Sequence, residues 1–184
     1  MIFREIEDRD LVLRSQKGDV DAYNILVSRW EKRVYNYLLK QLRNREDALD
    51  LTQETVLKAY RGLSRLKEPS RFVQWLFRIA HNEAVSLFRK TNRFLDEEVP
   101  EATEGGVVSV GASRAFPMEW NLTVRNALDQ LTLEQRETVL LKVYEGFKFE
   151  EIAEILSCPV STVKSRLYTA FELLKASLSP VESD

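Results

Sequence analysis

Apolar residues recur at spacings of three and four along almost the whole chain, and no segment alternates apolar and polar residues over a strand's length. That period is the feature that most limits the fold, because it leaves helices as the only regular element. Tyr23, Leu26, Val27, Trp30, Val34, Tyr37 and Leu38 form one stripe of a long helix starting after Asp19, a residue suited to cap it. A second helix follows Asn44, with Glu46 and Asp47 near the positive end of its dipole and Ala48, Thr52, Val56, Ala59, Tyr60 and Leu63 on its inner face. Pro69-Ser70 stops one element and starts the next, which runs from about Arg71 to Lys90.

The period fails once. Residues 94–117 contain Pro100, Gly105, Gly106, Gly111 and Pro117 among acids and small residues, which reads as a linker. It resumes near Met118 with Val124, Ala127, Leu128 and Leu131. Thr132-Leu133-Glu134-Gln135 has the form of a capping box, and the helix it opens should reach Glu145 and end at Gly146. Two helices follow, about Phe149–Leu156 and Val160–Ser177. The expected fold is all-α: two small helical domains, residues 1–93 and 121–184, joined by a flexible acidic linker, residues 94–120.

Composition enters as a set of exclusions. In 184 residues there is one cysteine, Cys158, so no intramolecular disulfide and no cysteine-built zinc site is expected. A lone histidine, His81, removes most histidine-based catalytic and metal constellations, and the reading is a protein with no cofactor, no metal and no catalytic residues. No apolar run approaches the ~18 residues of a membrane span, and Met1–Asp10, with four acids and two bases, does not read as a secretory signal. A cytoplasmic protein without membrane insertion is expected.

The formal net charge of -2 argues at first against nucleic acid. Divided along the chain it argues the opposite. Residues 61–93 carry 8 bases and 2 acids, residues 94–120 carry 1 base and 6 acids, and residues 121–184 carry 7 bases and 10 acids. The basic block interleaves Arg61, Arg65, Lys67, Arg71, Arg78, Arg89, Lys90 and Arg93 with Phe72, Trp75, Phe77, Phe88 and Phe94. Such a composition suits single-stranded or melting DNA, although the aromatic spacing, Trp75 included, fits a core better than a stacking platform.

Ser157-Cys158-Pro159 joins the last two helices in the manner of a helix-turn-helix. Ile152, Ala153, Leu156, Val163 and Leu167 should hold the pair together. The second helix then presents Ser161, Thr162, Lys164, Ser165, Arg166, Tyr168 and Thr169, with no acid from Val160 to Phe171, on helices carrying Glu134, Glu137, Glu145, Glu150, Glu151 and Glu154. An acid-free helix is what a major-groove reader needs, since carboxylates would repel phosphates. The alternative is a plain helical hairpin. On the helix after Asn44, Asp47, Asp50 and Glu54 share a face with Leu51 and Leu57, a pattern suited either to solvent or to docking a protein.

With these segments in hand, the chain resembles the bacterial extracytoplasmic-function (ECF) sigma factors over about residues 10–90 and 121–178. Asn44-Arg45-Glu46-Asp47-Ala48-Leu49-Asp50-Leu51-Thr52-Gln53-Glu54-Thr55 resembles the family's polymerase-clamp-binding helix. Phe72-Val73-Gln74-Trp75-Leu76-Phe77-Arg78-Ile79-Ala80-His81-Asn82 resembles its −10 promoter segment, and Glu145-Gly146 through Leu167 its −35 helix-turn-helix. The resemblance implies a dissociable subunit of RNA polymerase that assists promoter melting, with no enzymatic activity of its own. Asp47, Asp50, Leu51, Gln53 and Glu54 would dock on the clamp of the largest core subunit. The segment Ser64 to Arg71, with Arg65, Lys67, Arg71, Arg78, Asn82 and Arg89, would bind −10 DNA, Asn82 reading or supporting a flipped base. Ser161, Thr162, Lys164, Ser165, Arg166, Tyr168 and Thr169 would face −35 DNA. The implied partners are core RNA polymerase at its clamp and flap, promoter DNA and an anti-sigma factor, with the free chain a monomer responding to stress or another signal. Two departures stand out: Thr169-Ala170-Phe171 where a more basic run is expected, and Lys148 where a Ser or Thr would cap the first helix of the motif.

Overall fold

A computed structural model describes residues 6–98 and 122–178, all of whose regular elements are helices. The chain runs α1 (Asp8–Gln16), α2 (Val20–Leu42), α3 (Arg45–Gly62), α4 (Phe72–Glu98), α5 (Leu122–Asp129), α6 (Leu133–Val139), α7 (Phe149–Leu156) and α8 (Val160–Leu178). Short 3-10 turns, Leu63–Arg65 and Pro69–Arg71, bridge α3 to α4.

The expected caps form. Asp19 accepts from the Ala22 N–H at 3.0 Å, and Asn44 Oδ1 accepts from the Glu46 and Asp47 N–H groups. Thr132 and Gln135 make the reciprocal capping box. At Lys148 half of that device survives: the Glu151 carboxylate accepts from the Lys148 N–H at 2.7 Å, while an ammonium side chain has no lone pair with which to accept in turn.

Four expectations are adjusted. Helix α1 precedes the first one expected; Leu11 and Val12, both fully buried, fix it to the bundle with too few apolar positions to show a period. Helix α4 continues to Glu98, past the expected end near Lys90. The helix opened at Thr132 changes to a π turn over Leu140–Tyr144 before Gly146, whose φ of +76° suits the close. Tyr60, assigned to the inner face of α3, is 48% exposed and lies against the Tyr23 ring; Thr55 takes the buried place.

Buried residues form one continuous cluster across both expected domains. It joins Tyr37, Phe77 and Ala80 to Leu141, Phe147, Ile152 and Ile155, with the Phe77 and Phe147 rings edge-on at 5.2 Å. A smaller cluster of Leu128, Leu131, Val139, Leu167 and Ala170 holds α5, α6 and α8 together. Helices α4 and α7 are therefore in direct contact, and the two domains lie closed on one another.

Candidate nucleic-acid interface

The helix-turn-helix is built as its sequence implies. Ile152, Leu156, Val163 and Leu167 are buried and Ala153 is half-buried between α7 and α8. The turn hinges on Ser157, whose φ of +52° is left-handed, and the Cys158 N–H donates to the Ala153 carbonyl at 3.0 Å. With Val163, Leu167 and Ala170 facing in, the opposite face of α8 is set. Ser161, Lys164, Ser165, Tyr168 and Thr169 are exposed, and Thr162 and Arg166 are half-exposed. Tyr168 is 59% exposed. All seven expected residues thus share one solvent face. The Lys164 ammonium lies 5.5 Å from the Phe149 ring centroid, a cation–π contact that limits where that charge can point.

The second basic surface is spread over the α3–α4 loop and α4. Arg65, Lys67, Arg71, Arg78, Asn82 and Arg89 are all exposed. The aromatics of this block are mainly structural. Phe72 and Phe77 are buried, and Trp75 is half-buried against Gly62, where a Cβ would stand 3.1 Å from the indole. Phe94 lies outside the described side chains.

Part of the basic surface faces the other domain. Arg71 donates to the Glu154 carboxylate at 3.0 and 3.2 Å while also pairing with Glu68. Gln74 donates to Glu151 at 2.5 Å, and Arg78 to the Ser157 hydroxyl at 3.3 Å. Beneath these contacts is a buried node absent from the sequence reading. Glu137 accepts from the Tyr37 hydroxyl and from His81 Nδ1, the latter at 2.7 Å. Because a carboxylate only accepts, Nδ1 carries the hydrogen. Arg33 pairs with Glu145 at 2.9 Å; burial pushes the Glu145 carboxyl above the usual carboxylate range, opposed by Arg33 and Lys40. Arg43 adds an ion pair to Asp129. Read by charge alone, Glu137, Glu145, Glu151 and Glu154 belong to an acidic support for α8. In the fold they are instead the side of α6, the turn after Tyr144 and α7 that meets the first domain.

The third surface is on α3. Asp50 and Gln53 are exposed, Asp47 and Glu54 are half-exposed, and Leu51 is half-buried beside an exposed Leu57. Burial and the like charges of Asp50 and Glu46 raise the Asp47 carboxyl above its usual range. Glu54 lies 3.5 Å from Lys58, whose ammonium also pairs with Glu83 at 2.6 Å. This acid cluster with an apolar neighbour matches a cationic protein surface better than it matches DNA.

A helix-turn-helix whose second helix holds no acid from Val160 to Phe171, a separate basic face and an acidic face on α3 describe a two-domain transcription-initiation factor. Known proteins point the same way. A family model described as Sigma-70 region 2 matches residues 26–94, and one described as Sigma-70, region 4 matches residues 121–174. The chain is 32% identical to the ECF RNA polymerase sigma-E factor of Haemophilus influenzae, covering 96% of this chain and 98% of that protein. It is 32% identical to the RNA polymerase sigma-H factor of Pseudomonas aeruginosa, over 95% of each. Among solved structures it is similar to the sigma factor RpoE of Bartonella quintana in complex with the anti-sigma factor NepR, with a TM-score of 0.69 and 25% identity over 88% of this chain and 98% of that one. It shares its fold with CnrH in complex with the cytosolic domain of CnrY, with a TM-score of 0.68 and 24% identity over 93% and 96%. The chain belongs to the ECF sigma factors.

Proposed function

We propose that this sigma factor works through the three surfaces above, one to each contact it must make. The observation that carries the reading is their separation: acidic α3, basic α3–α4 loop with α4, and the stretch of α8 from Val160 to Phe171, which holds no acid, lie on different elements. Asp47, Asp50, Leu51, Gln53 and Glu54 dock on the clamp of the largest core subunit. Arg65, Lys67, Arg71, Arg78, Asn82 and Arg89 hold the −10 strand. Here bases unstack at a cost of a few kcal/mol, offset by phosphate contacts along the basic face. Ser161, Thr162, Lys164, Ser165, Arg166, Tyr168 and Thr169 read the −35 major groove, where Lys and Arg contact guanine edges and phosphates. Residues 1–93 and 121–184 then act as the two DNA-reading domains, and residues 94–120 connect them within polymerase.

The further parts of the reading have separate supports. An anti-sigma partner is supported by the similar RpoE structure, which is a complex with the anti-sigma factor NepR. A non-enzymatic, cytoplasmic role is supported by the family's work on RNA polymerase; among the described residues no helix is long and apolar enough to cross a membrane. Run-off transcription with purified core polymerase and a promoter library tests the whole. Initiation at a defined set of promoters, with a stable complex with core, is expected. Failure of both sinks the reading.

A further inference from the structure

The loop that carries Arg65 and Lys67 is not held by α3 and α4 alone. Gln16, the last residue of α1, reaches across 47 and 50 positions of sequence and donates from Nε2 to the Leu63 and Leu66 carbonyls, both at 2.9 Å. These are the first and last backbone acceptors of the turn that closes α3. Leu63 already accepts from the Leu66 N–H at 3.0 Å, so one side-chain amide ties both ends of the turn to α1. Leu63 is buried and Leu66 half-buried, whereas Ser64, Arg65 and Lys67 are exposed. The alternation matters. With the two leucines and their carbonyls fixed, the residues between and after them have one direction left, outward. Helix α1 is itself fixed independently, by buried Leu11 and Val12 and by Asp8, which accepts from Trp30 Nε1 at 2.7 Å and from Arg29 at 2.9 Å.

We infer that Gln16 is a positioning residue for promoter opening. It touches no DNA. It sets the backbone of the Leu63–Leu66 turn so that Arg65 and Lys67 meet the unstacked −10 strand in one geometry. The inference rests on the proposed −10 role of this loop and adds a residue on α1 that its machinery requires. The chemistry is specific: a neutral amide supplies two N–H donors to two carbonyl oxygens and adds no charge beside a strand of phosphates. A glutamate of the same shape could donate neither, and would set a carboxylate against two acceptors.

The test uses holoenzyme reconstituted with the full chain on a promoter that the wild-type protein opens, with 2-aminopurine in the −10 strand reporting unstacking. Gln16→Ala and Gln16→Glu are expected to slow opening by about tenfold, the size of two missing hydrogen bonds, while core affinity and binding of the −35 duplex stay at wild-type values. Preference among the four bases at the captured −10 position should narrow. Gln16→Lys, which again supplies donors, should recover part of the opening rate. A merely structural role would lower core binding, −35 binding and opening together and leave base preference unchanged; that pattern, or wild-type opening by Gln16→Ala, overturns the inference. Should wild-type holoenzyme leave the −10 probe stacked on every promoter, the reading of the loop fails instead, and the two failures are distinct.

Discussion

At the scale of single residues, the most consequential side chain is a glutamate with no place in the DNA-reading surfaces. Glu137 is 5% exposed, and a buried carboxylate is tolerated only where donors replace its water. Tyr37 and His81 supply them from two helices of the other domain. Burial, then the Glu137 charge, raise the Tyr37 phenol well above 10.0, and burial raises Tyr23 to about 12. The sign follows from linkage: an ionised phenol is disfavoured in the fold, so the stabilisation from keeping these tyrosines protonated is complete below pH ~10 and is lost as pH rises through their folded values. Tyr37→Phe should therefore cost about 1–3 kcal/mol at neutral pH by leaving Glu137 short of a donor, and less in alkali. Urea denaturation of both proteins at pH ~7 and at pH ~10.5 checks this. An equal gap at the two pH values would mean that Tyr37 does not hold its proton through Glu137 and burial.

Local elements are the legible part of this chain. Asp19, Asn44 and Thr132 announce helix starts because each cap uses donors within three residues of itself. The helix-turn-helix shows for the same reason, since Ile152, Leu156, Val163 and Leu167 are close in sequence and period. Gln16 with Leu63, Tyr37 with Glu137 and Arg33 with Glu145 are 47, 100 and 112 positions apart, and a polar pair at that separation leaves no period behind. The acidic face of α7 escapes a sequence reading on the same ground: charge on a helix is visible in the sequence, but what the charge faces is not. The element whose role is most exposed to test is α8. Lys164→Ala with Arg166→Ala removes two cations from its outer face and leaves buried Val163 and Leu167 untouched. Binding of holoenzyme to a −35 duplex should weaken, and the slope of log affinity against log salt should fall by about 1.8, close to 0.9 for each phosphate no longer neutralised. An unchanged slope would place both side chains off the DNA.

The whole molecule brings together what the elements separately offer. In the closed arrangement the outer faces of α3 and α8 keep their exposed residues, so the proposed core-docking and −35 faces are open. The proposed −10 face is open in part: Arg65, Lys67, Asn82 and Arg89 stay exposed, while Arg71 and Arg78 are engaged from the other domain. Glu154 occupies Arg71 with the same charge and bidentate reach that a phosphate would use, Glu151 takes Gln74, and Ser157 takes Arg78. The Phe77–Phe147 contact and the Glu137 node hold this face of α7 in register. Arg71 and Glu154 are each 50% exposed, so their pair is worth only about 0.2–1 kcal/mol and weakens with salt. The mask is consequently shallow, one that a docked polymerase can displace. For the free chain, Glu151→Gln with Glu154→Gln should raise affinity for a fluorescent single-stranded −10 oligonucleotide by about three- to tenfold, the sum of two weak contacts. Glu150→Gln with Glu172→Gln removes the same charge from exposed positions and should change it less than about twofold, as expected when only long-range repulsion is relieved. If core separates α4 from α7, the two double variants should bind the strand equally in holoenzyme. Equal gains in the free chain would assign the effect to net charge and remove α7 as a competitor for the −10 face.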